Sequence, residues 1–286
     1  MKKPSILELA FIAALSAGCQ NEFTVTTYNI AALPQGISPS NPEKNVPIIS
    51  KKLGELSSNE EKEIILIQED FSYHEELSKN AGYPYKTELP EHYESLGDGL
   101  NAFSDFEITG HVRQAWRDCN GYFEEGSDCL TPKGFSVGEY KIVSGVNIDG
   151  YNIHMDSGDS EGDERTRELQ IEQLIETFNI RSSRKAVIVA GDFNTAEGNL
   201  LYRLKSATGL IDSCDILACP NSDSIDRILF KNNEYVTLTP IEYRVDDKYF
   251  VDEEGKTLSD HLPVSVKFTV LAGPPGKELF VKYREE

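Results

Sequence analysis

Positive charge is scarce in this chain. Its 286 residues carry 28 lysines and arginines against 48 aspartates and glutamates, a formal net charge of −20. Affinity for a phosphate backbone comes largely from Lys and Arg, so this balance speaks against a protein that coats nucleic acid. No Lys/Arg cluster offers a groove-binding patch either. A metal site would still supply positive charge locally. Beyond the N-terminus no stretch is long and apolar enough to span a membrane. Internal repeats, low-complexity blocks and breaks in composition are absent, which argues for one large α/β domain. Cysteines number only five, and neither C-x9-C (119–129) nor C-x4-C (214–219) is a zinc spacing with histidines to complete it.

The N-terminus reads as an export signal. Lys2 and Lys3 precede an apolar run, 6–15, interrupted by Glu8, and L-S-A-G-C closes at Cys19. Residues 1–19 are therefore expected to be a bacterial leader of lipoprotein type, with Cys19 as the lipidated residue, although Leu15 sits four residues before the cysteine where three is usual. Export suits the remaining cysteines, Cys119, Cys129, Cys214 and Cys219. Three connectivities are open to them; the local one, 119–129 with 214–219, is expected, and four reduced, buried thiols are the alternative. The main domain is placed at 20–271, followed by a C-terminal extension over 272–286 that carries G-P-P-G.

Residues 23–29 alternate in strand fashion and end at Asn29. Val46, Ile49, Leu53 and Leu56 recur at helical spacing, and I-I-L-I (64–67) is a second strand leading to Gln68, Glu69 and Asp70. A turn at 97–104 feeds another strand. Residues 116–133 read as a polar surface excursion. Strands are expected at 134–143, 151–155, 186–191, 225–230 and 264–270, and helices at 166–178 and 199–207. The pattern predicts an α/β domain with two sheets packed face to face.

Polar residues repeatedly stand where apolar strands end: Asn29, Glu69, His154, Asp192 with Asn194, Asp226, and Asp260 with His261. One rim of a sheet is where α/β proteins place ligands. The residue types suit metal-assisted hydrolysis of a phosphate ester. A carboxylate such as Glu69 holds a hard divalent cation, the pair Asp226–His261 deprotonates water, and His154 donates to a phosphate oxygen as charge builds up.

Five segments, T-Y-N-I (27–30), I-Q-E-D (67–70), G-D-F-N (191–194), S-I-D-R-I-L-F (224–230) and S-D-H-L-P-V (259–264), resemble in type and order those of the endonuclease/exonuclease/phosphatase superfamily. This is the fold of deoxyribonuclease I and of bacterial sphingomyelinase C. The resemblance covers about residues 23–270. It implies a four-layered sandwich of two packed mixed β-sheets flanked by helices. It also implies Mg²⁺, with Mn²⁺ or another divalent cation as alternatives. The metal residues would be Glu69, the main ligand, with Asn29 beside it and Asp260 near the metal, as a ligand or just behind one. Asp192 and Asn194 would position the attacking water and bind the scissile phosphate. His261 would be the general base, oriented by Asp226, and His154 would stabilise the transition state. Ile153 departs from the family, which usually has threonine there.

The implied partner is a phosphodiester, a phospholipid head group or a nucleic acid, acted on by a monomer. The acidic charge and the segment D-C-L-T-P-K-G-F (128–135), similar to the disulfide-bearing part of secreted sphingomyelinases, favour the lipid. A secreted nuclease is the alternative, and a non-catalytic binding protein on the same fold is the third reading. Contact with a membrane surface would fall to Tyr122 and Phe123 or to Tyr249 and Phe250.

Overall fold

The structure, a computed structural model, describes residues 21–38, 40–89, 96–122, 128–196, 198–219 and 223–273. The leader expected over 1–19, Phe123 and the extension from residue 274 lie outside them. In chain order the elements are β1 (Asn21–Asn29), α1 (Pro42–Ser57), β2 (Glu63–Gln68), α2 (His74–Ser78), β3 (Tyr85–Lys86), β4 (Asn101–Ser104), β5 (Ile108–Ala115), β6 (Gly134–Val143), β7 (Val146–His154), α3 (Glu161–Arg181), β8 (Val187–Asp192), α4 (Asn199–Thr208), β9 (Ile211–Asp212), α5 (Ser213–Leu217), β10 (Asp226–Lys231), β11 (Val236–Val245) and β12 (Val264–Ala272).

The strands form two six-stranded mixed sheets, ordered β11-β12-β1-β2-β4-β3 and β5-β6-β7-β8-β10-β9. Successive side chains on a strand face opposite ways, so an unbroken apolar strand needs cover on both faces. That cover is what these runs receive. Ile64 and Leu66 of β2 join Ile188 and Ala190 of β8 in the core between the sheets. Their neighbours face outward: Ile65 and Ile67 pack with Val46, Ile49 and Leu53 of α1. Val187 and Val189 pack with Leu174 and Phe178 of α3 and Leu201 and Leu204 of α4. The result is the expected four layers, helix, sheet, sheet, helix.

Strand direction decides where the polar strand ends gather. β1 runs parallel to β2, and β7 parallel to β8, so Asn29, Glu69, His154 and Asp192 emerge at carboxyl ends. β10 runs antiparallel to β8 with Asp226 opposite Asp192. β12 runs antiparallel to β1, which returns the segment carrying Asp260 and His261 to the same rim.

Three details differ from the sequence reading. α3 extends beyond 166–178, because Ser160 and Asp163 close a capping box at its start. The 116–133 excursion is anchored at both ends: Trp116 is buried and donates to the His154 carbonyl at 2.7 Å, and Lys133 is buried beside Asp128. The strands β5 and β11 escape the pattern because each is a sheet edge with polar or half-exposed positions. The disulfides are the local ones, Cys119–Cys129 and Cys214–Cys219.

One buried amide stitches the sheets together just beneath the rim. Asn152 of β7 donates to the carbonyls of Ile67 at 2.8 Å and Asn101 at 3.1 Å, and accepts from Gln68 Nε2 at 2.6 Å. Removing one partner of a buried polar set leaves the others unsatisfied. Asn152→Leu is therefore expected to destabilise the fold by roughly 2 kcal/mol or more, read as a lower denaturant midpoint. Unchanged stability would show that water or another group replaces the bridge.

Candidate active site

The chain leaves its strands sharply at this rim. Among the described residues, Ala31, Glu69, Asn194 and Ala218 are the non-glycines with left-handed backbone, at φ of 48°, 58°, 47° and 47°. Three of them stand at or just after the ends of β1, β2 and β8. Left-handed backbone costs a non-glycine residue about 1–2 kcal/mol, and such strain concentrates at functional sites. Gly191 is required by a close approach: with φ of 149°, a Cβ there would lie 2.0 Å from the Ile153 carbonyl oxygen. Ile153 itself is fully buried in the outer core, so an apolar side chain suits that position.

Asn29 sits at the centre. Its Nδ2 donates to Glu69 Oε1 at 3.1 Å and to Asp192 Oδ2 at 3.1 Å, while its Oδ1 accepts from the Ala31 amide at 3.0 Å. Asn29 is expected as a metal neighbour; here its amide nitrogen faces the carboxylates and its oxygen is taken by the Ala31 amide. His154 Nε2 lies 3.8 Å from Glu69 Oε1 and 3.6 Å from Asp192 Oδ2, and His261 Nε2 lies 3.8 Å from the same Asp192 oxygen. These separations are too long for hydrogen bonds and leave the polar atoms aimed at one another. His261 Nδ1 lies 2.8 Å from Asp226 Oδ2. Asn194 is tied by Nδ2 to the Met155 carbonyl at 2.9 Å, and its backbone amide donates to Asp192 Oδ1 at 2.9 Å.

Asp260 stands apart from this group. It is exposed, and its carboxylate lies 3.3 Å from the Ser259 hydroxyl, which donates to the Asn29 carbonyl at 2.7 Å. The structure thus brings together Asn29, Glu69, His154, Asp192, Asn194, Asp226 and His261 and leaves Asp260 at the edge.

Burial dominates the electrostatics. It raises the Glu69 carboxyl, against the Asn29 hydrogen bond and the charge of Lys133. It raises Asp192 to about 6, reinforced by Asp226. It holds the His154 imidazole well below its ordinary value. The His154 Nδ1 is buried without a hydrogen-bond partner among the described residues. The proton of a neutral imidazole therefore belongs on Nε2, facing the carboxylates. His261 behaves oppositely. Burial alone would lower it, but its hydrogen bond to Asp226 and the charges of Asp226, Asp192 and Asp260 push it up to about 9.

Two placements for a divalent cation compete. Glu69 and Asp192 share the Asn29 amide, and among the described residues only histidines approach them as ion-pair partners. A buried and a half-buried carboxylate, neither with a Lys or Arg ion-pair partner among the described residues, suit a hard cation. Separately, ligand atoms of Asp192, Asp226 and His261 lie within 4.8 Å of one another. Asp226, Asp192 and Asp260 favour the protonated His261 ring, which has no lone pair to offer a cation, so the Glu69 side fits a divalent cation better.

Sequence reasoning missed Lys133, a buried lysine paired with Asp128 whose Nζ lies 3.4 Å from the Met155 carbonyl. Its position in D-C-L-T-P-K-G-F was visible; its burial was not. It also missed Gln68 and Asn152, whose partners are distant in the chain. Of the aromatics, Tyr122 is 61 % exposed, whereas Phe250 is buried and Tyr249 packs edge-on against it.

The sequence matches the Endonuclease/Exonuclease/phosphatase family over residues 26–261. The chain belongs to that family. It is similar to a sphingomyelinase of Mycobacterium tuberculosis, 28 % identical over 274 residues, a match covering 88 % of this chain and 53 % of the relative. The chain thus spans about half the length of the curated relatives it matches. In fold it resembles a Staphylococcus aureus beta toxin mutant with bound magnesium ions (TM-score 0.63, 16 % identity, 86 % and 99 % coverage). It also resembles D. rerio TDP2 complexed with single-strand DNA product (TM-score 0.66, 13 % identity, 86 % and 98 % coverage).

The raised His261 carries a sign that can be checked. Its stabilising contribution is present below an unfolded-state value near 6.5 and is lost as pH rises through about 9. In metal-free protein the His261 ring protons are expected to titrate near 9 by NMR, and Asp226→Asn is expected to lower that midpoint markedly. A midpoint near 6.5 in the wild type would show that Asp226 does not hold the proton.

Proposed function

We propose that this chain is a divalent-cation-dependent phosphodiesterase that hydrolyses its substrate by in-line attack of water on phosphorus. The observation that carries the reading is the convergence of Glu69, Asn29, Asp192 and two histidines from separate strand ends on one point. Glu69 would hold the cation, Mg²⁺ or Mn²⁺, which supplies charge neutralisation for the phosphoryl oxygens and the departing oxygen. Asn29 uses both amide hydrogens to space the two carboxylates. His261 takes the proton of the attacking water at Nε2, with Asp226 fixing the ring through Nδ1. The Nε2–H of His154 donates to a phosphoryl oxygen as negative charge grows. Asn194, whose nitrogen is used on Met155, offers its oxygen to the water. Asp260 contributes from the rim.

For the substrate we favour a sphingomyelin-type phospholipid. Support comes from the similarity to a mycobacterial sphingomyelinase, the net charge of −20 and the buried Asp128–Lys133 pair inside the disulfide-bearing segment. Membrane contact would then be made by Tyr122, with Leu130, 49 % exposed, on the same disulfide-bearing segment. Export agrees with the two disulfides.

One assay separates the readings: hydrolysis of sphingomyelin liposomes, plasmid DNA and a soluble bis-aryl phosphate. Wild type is expected to cleave the liposomes and to lose activity in EDTA. Glu69→Gln and His261→Ala should each lose about 10²–10⁴-fold on every substrate it cleaves. Tyr122→Ser should lose activity on liposomes alone. Cleavage of DNA only would replace the lipid reading with a nuclease. Absence of turnover with Mg²⁺ or Mn²⁺ would leave the non-catalytic alternative.

A further inference from the structure

A polar chain beside Glu69 plays no part in the proposed chemistry. Asp70 is fully buried and accepts from His74 Nδ1 at 2.5 Å and from Asn101 Nδ2 at 2.8 Å. His74 is buried too, and the Ser78 hydroxyl lies 3.0 Å from its Nε2. With Nδ1–H committed to a carboxylate, Nε2 is left as the acceptor and Ser78 donates to it. His74 and Ser78 are four residues apart in α2 and so share one helix face. The Phe103 ring stacks over the imidazole, with centroids 6.3 Å apart. On the far side, Asn101 Oδ1 accepts from Arg113 Nη2 at 2.7 Å, and Arg113 Nη1 donates to Asp98 at 2.6 Å. β4 through Asn101, the loop before it through Gly99 and α2 through His74 therefore meet at Asp70, with Arg113 of the second sheet holding Asn101 from behind.

Asp70 directly follows Glu69, the residue held left-handed at φ 58°. Its own amide donates to the Gly99 carbonyl at 3.0 Å, and a Cβ on Gly99 would lie 3.1 Å from Glu69 Cα, so this loop presses on the same backbone. The Glu69 side chain, in contrast, has one hydrogen bond from the described residues, that of Asn29. Its aim is therefore set largely by the backbone, and the backbone is set by what grips Asp70.

We propose that His74, steadied by Ser78, is a positioning residue that acts through Asp70 to hold Glu69 in the conformation that presents its carboxylate to a divalent cation. This rests on Glu69 as the cation-holding residue. Partners behind metal ligands typically change metal affinity by 10–100-fold when removed. His74 would belong to that group although it touches neither cation nor substrate.

The test measures Mn²⁺ binding to the full chain by EPR and calorimetry in wild type, His74→Leu, His74→Asn and Glu69→Gln. Leucine fills the space without donating; asparagine restores an N–H where Nδ1 stood. His74→Leu is expected to weaken Mn²⁺ binding about 10-fold, and His74→Asn to stay close to wild type. Wild-type affinity in His74→Leu, or equal weakening in both variants, would reduce the imidazole to packing and overturn the proposal. Should His74→Leu fail to fold, Asp70→Asn carries the test, with a similar loss expected and wild-type affinity overturning the idea. Glu69→Gln separates the two layers. If it leaves Mn²⁺ binding intact, the reading of Glu69 falls and this proposal with it. If it abolishes binding while His74→Leu does not weaken it, only the positioning role falls.

Discussion

The site depends on one side chain amide. Asn29 ends β1 in the first sheet; Asp192 ends β8 in the second; Glu69 directly follows β2 beside Asn29. The buried Asp192 and the half-buried Glu69, brought this close, resist ionisation. The Asn29 amide answers both with one hydrogen bond each, and its oxygen is spent on the backbone turn that follows. The geometry of the rim is therefore a consequence of how the two sheets pack, since a shift of one against the other would break this bridge first.

The rim is supported from below by polar contacts in an otherwise apolar interface. Gln68 donates to Asn152 across the sheets, and Asn152 donates to the Ile67 and Asn101 carbonyls, beneath Asn29 and Glu69. Buried polar networks of this kind fix one arrangement because a slipped register leaves them unsatisfied. Packing of Ile64, Leu66, Ile188 and Ala190 supplies the bulk of the cohesion, while these amides specify the register in which the chemistry-bearing strand ends meet.

Much of this was legible in the chain. Apolar runs such as I-I-L-I and A-V-I-V-A announce strands covered on both faces, and a polar residue immediately after such a run has to surface at its end. That is why Asn29, Glu69 and Asp192 could be named from residue type and position, and Asp226 from standing immediately before R-I-L-F. What remained hidden depends on partners far apart in sequence. Gln68 and Asn152 are 84 residues apart, and the Asp128–Lys133 pair is local but gives no sign of its burial. The edge strands β5 and β11 carry too little alternation to stand out. Phe250, an exposed docking residue by composition, is core because Tyr28 and Tyr249 pack against it.

The account turns on where the cation sits. Crystals grown with Mn²⁺, with anomalous data collected at the manganese edge, locate it directly. The expected result is a peak within about 2.0–2.3 Å of a Glu69 carboxylate oxygen, with His261 still paired to Asp226. A peak bound instead by Asp192, Asp226 and His261, with Glu69 free, would contradict the assignment of base and metal ligand together.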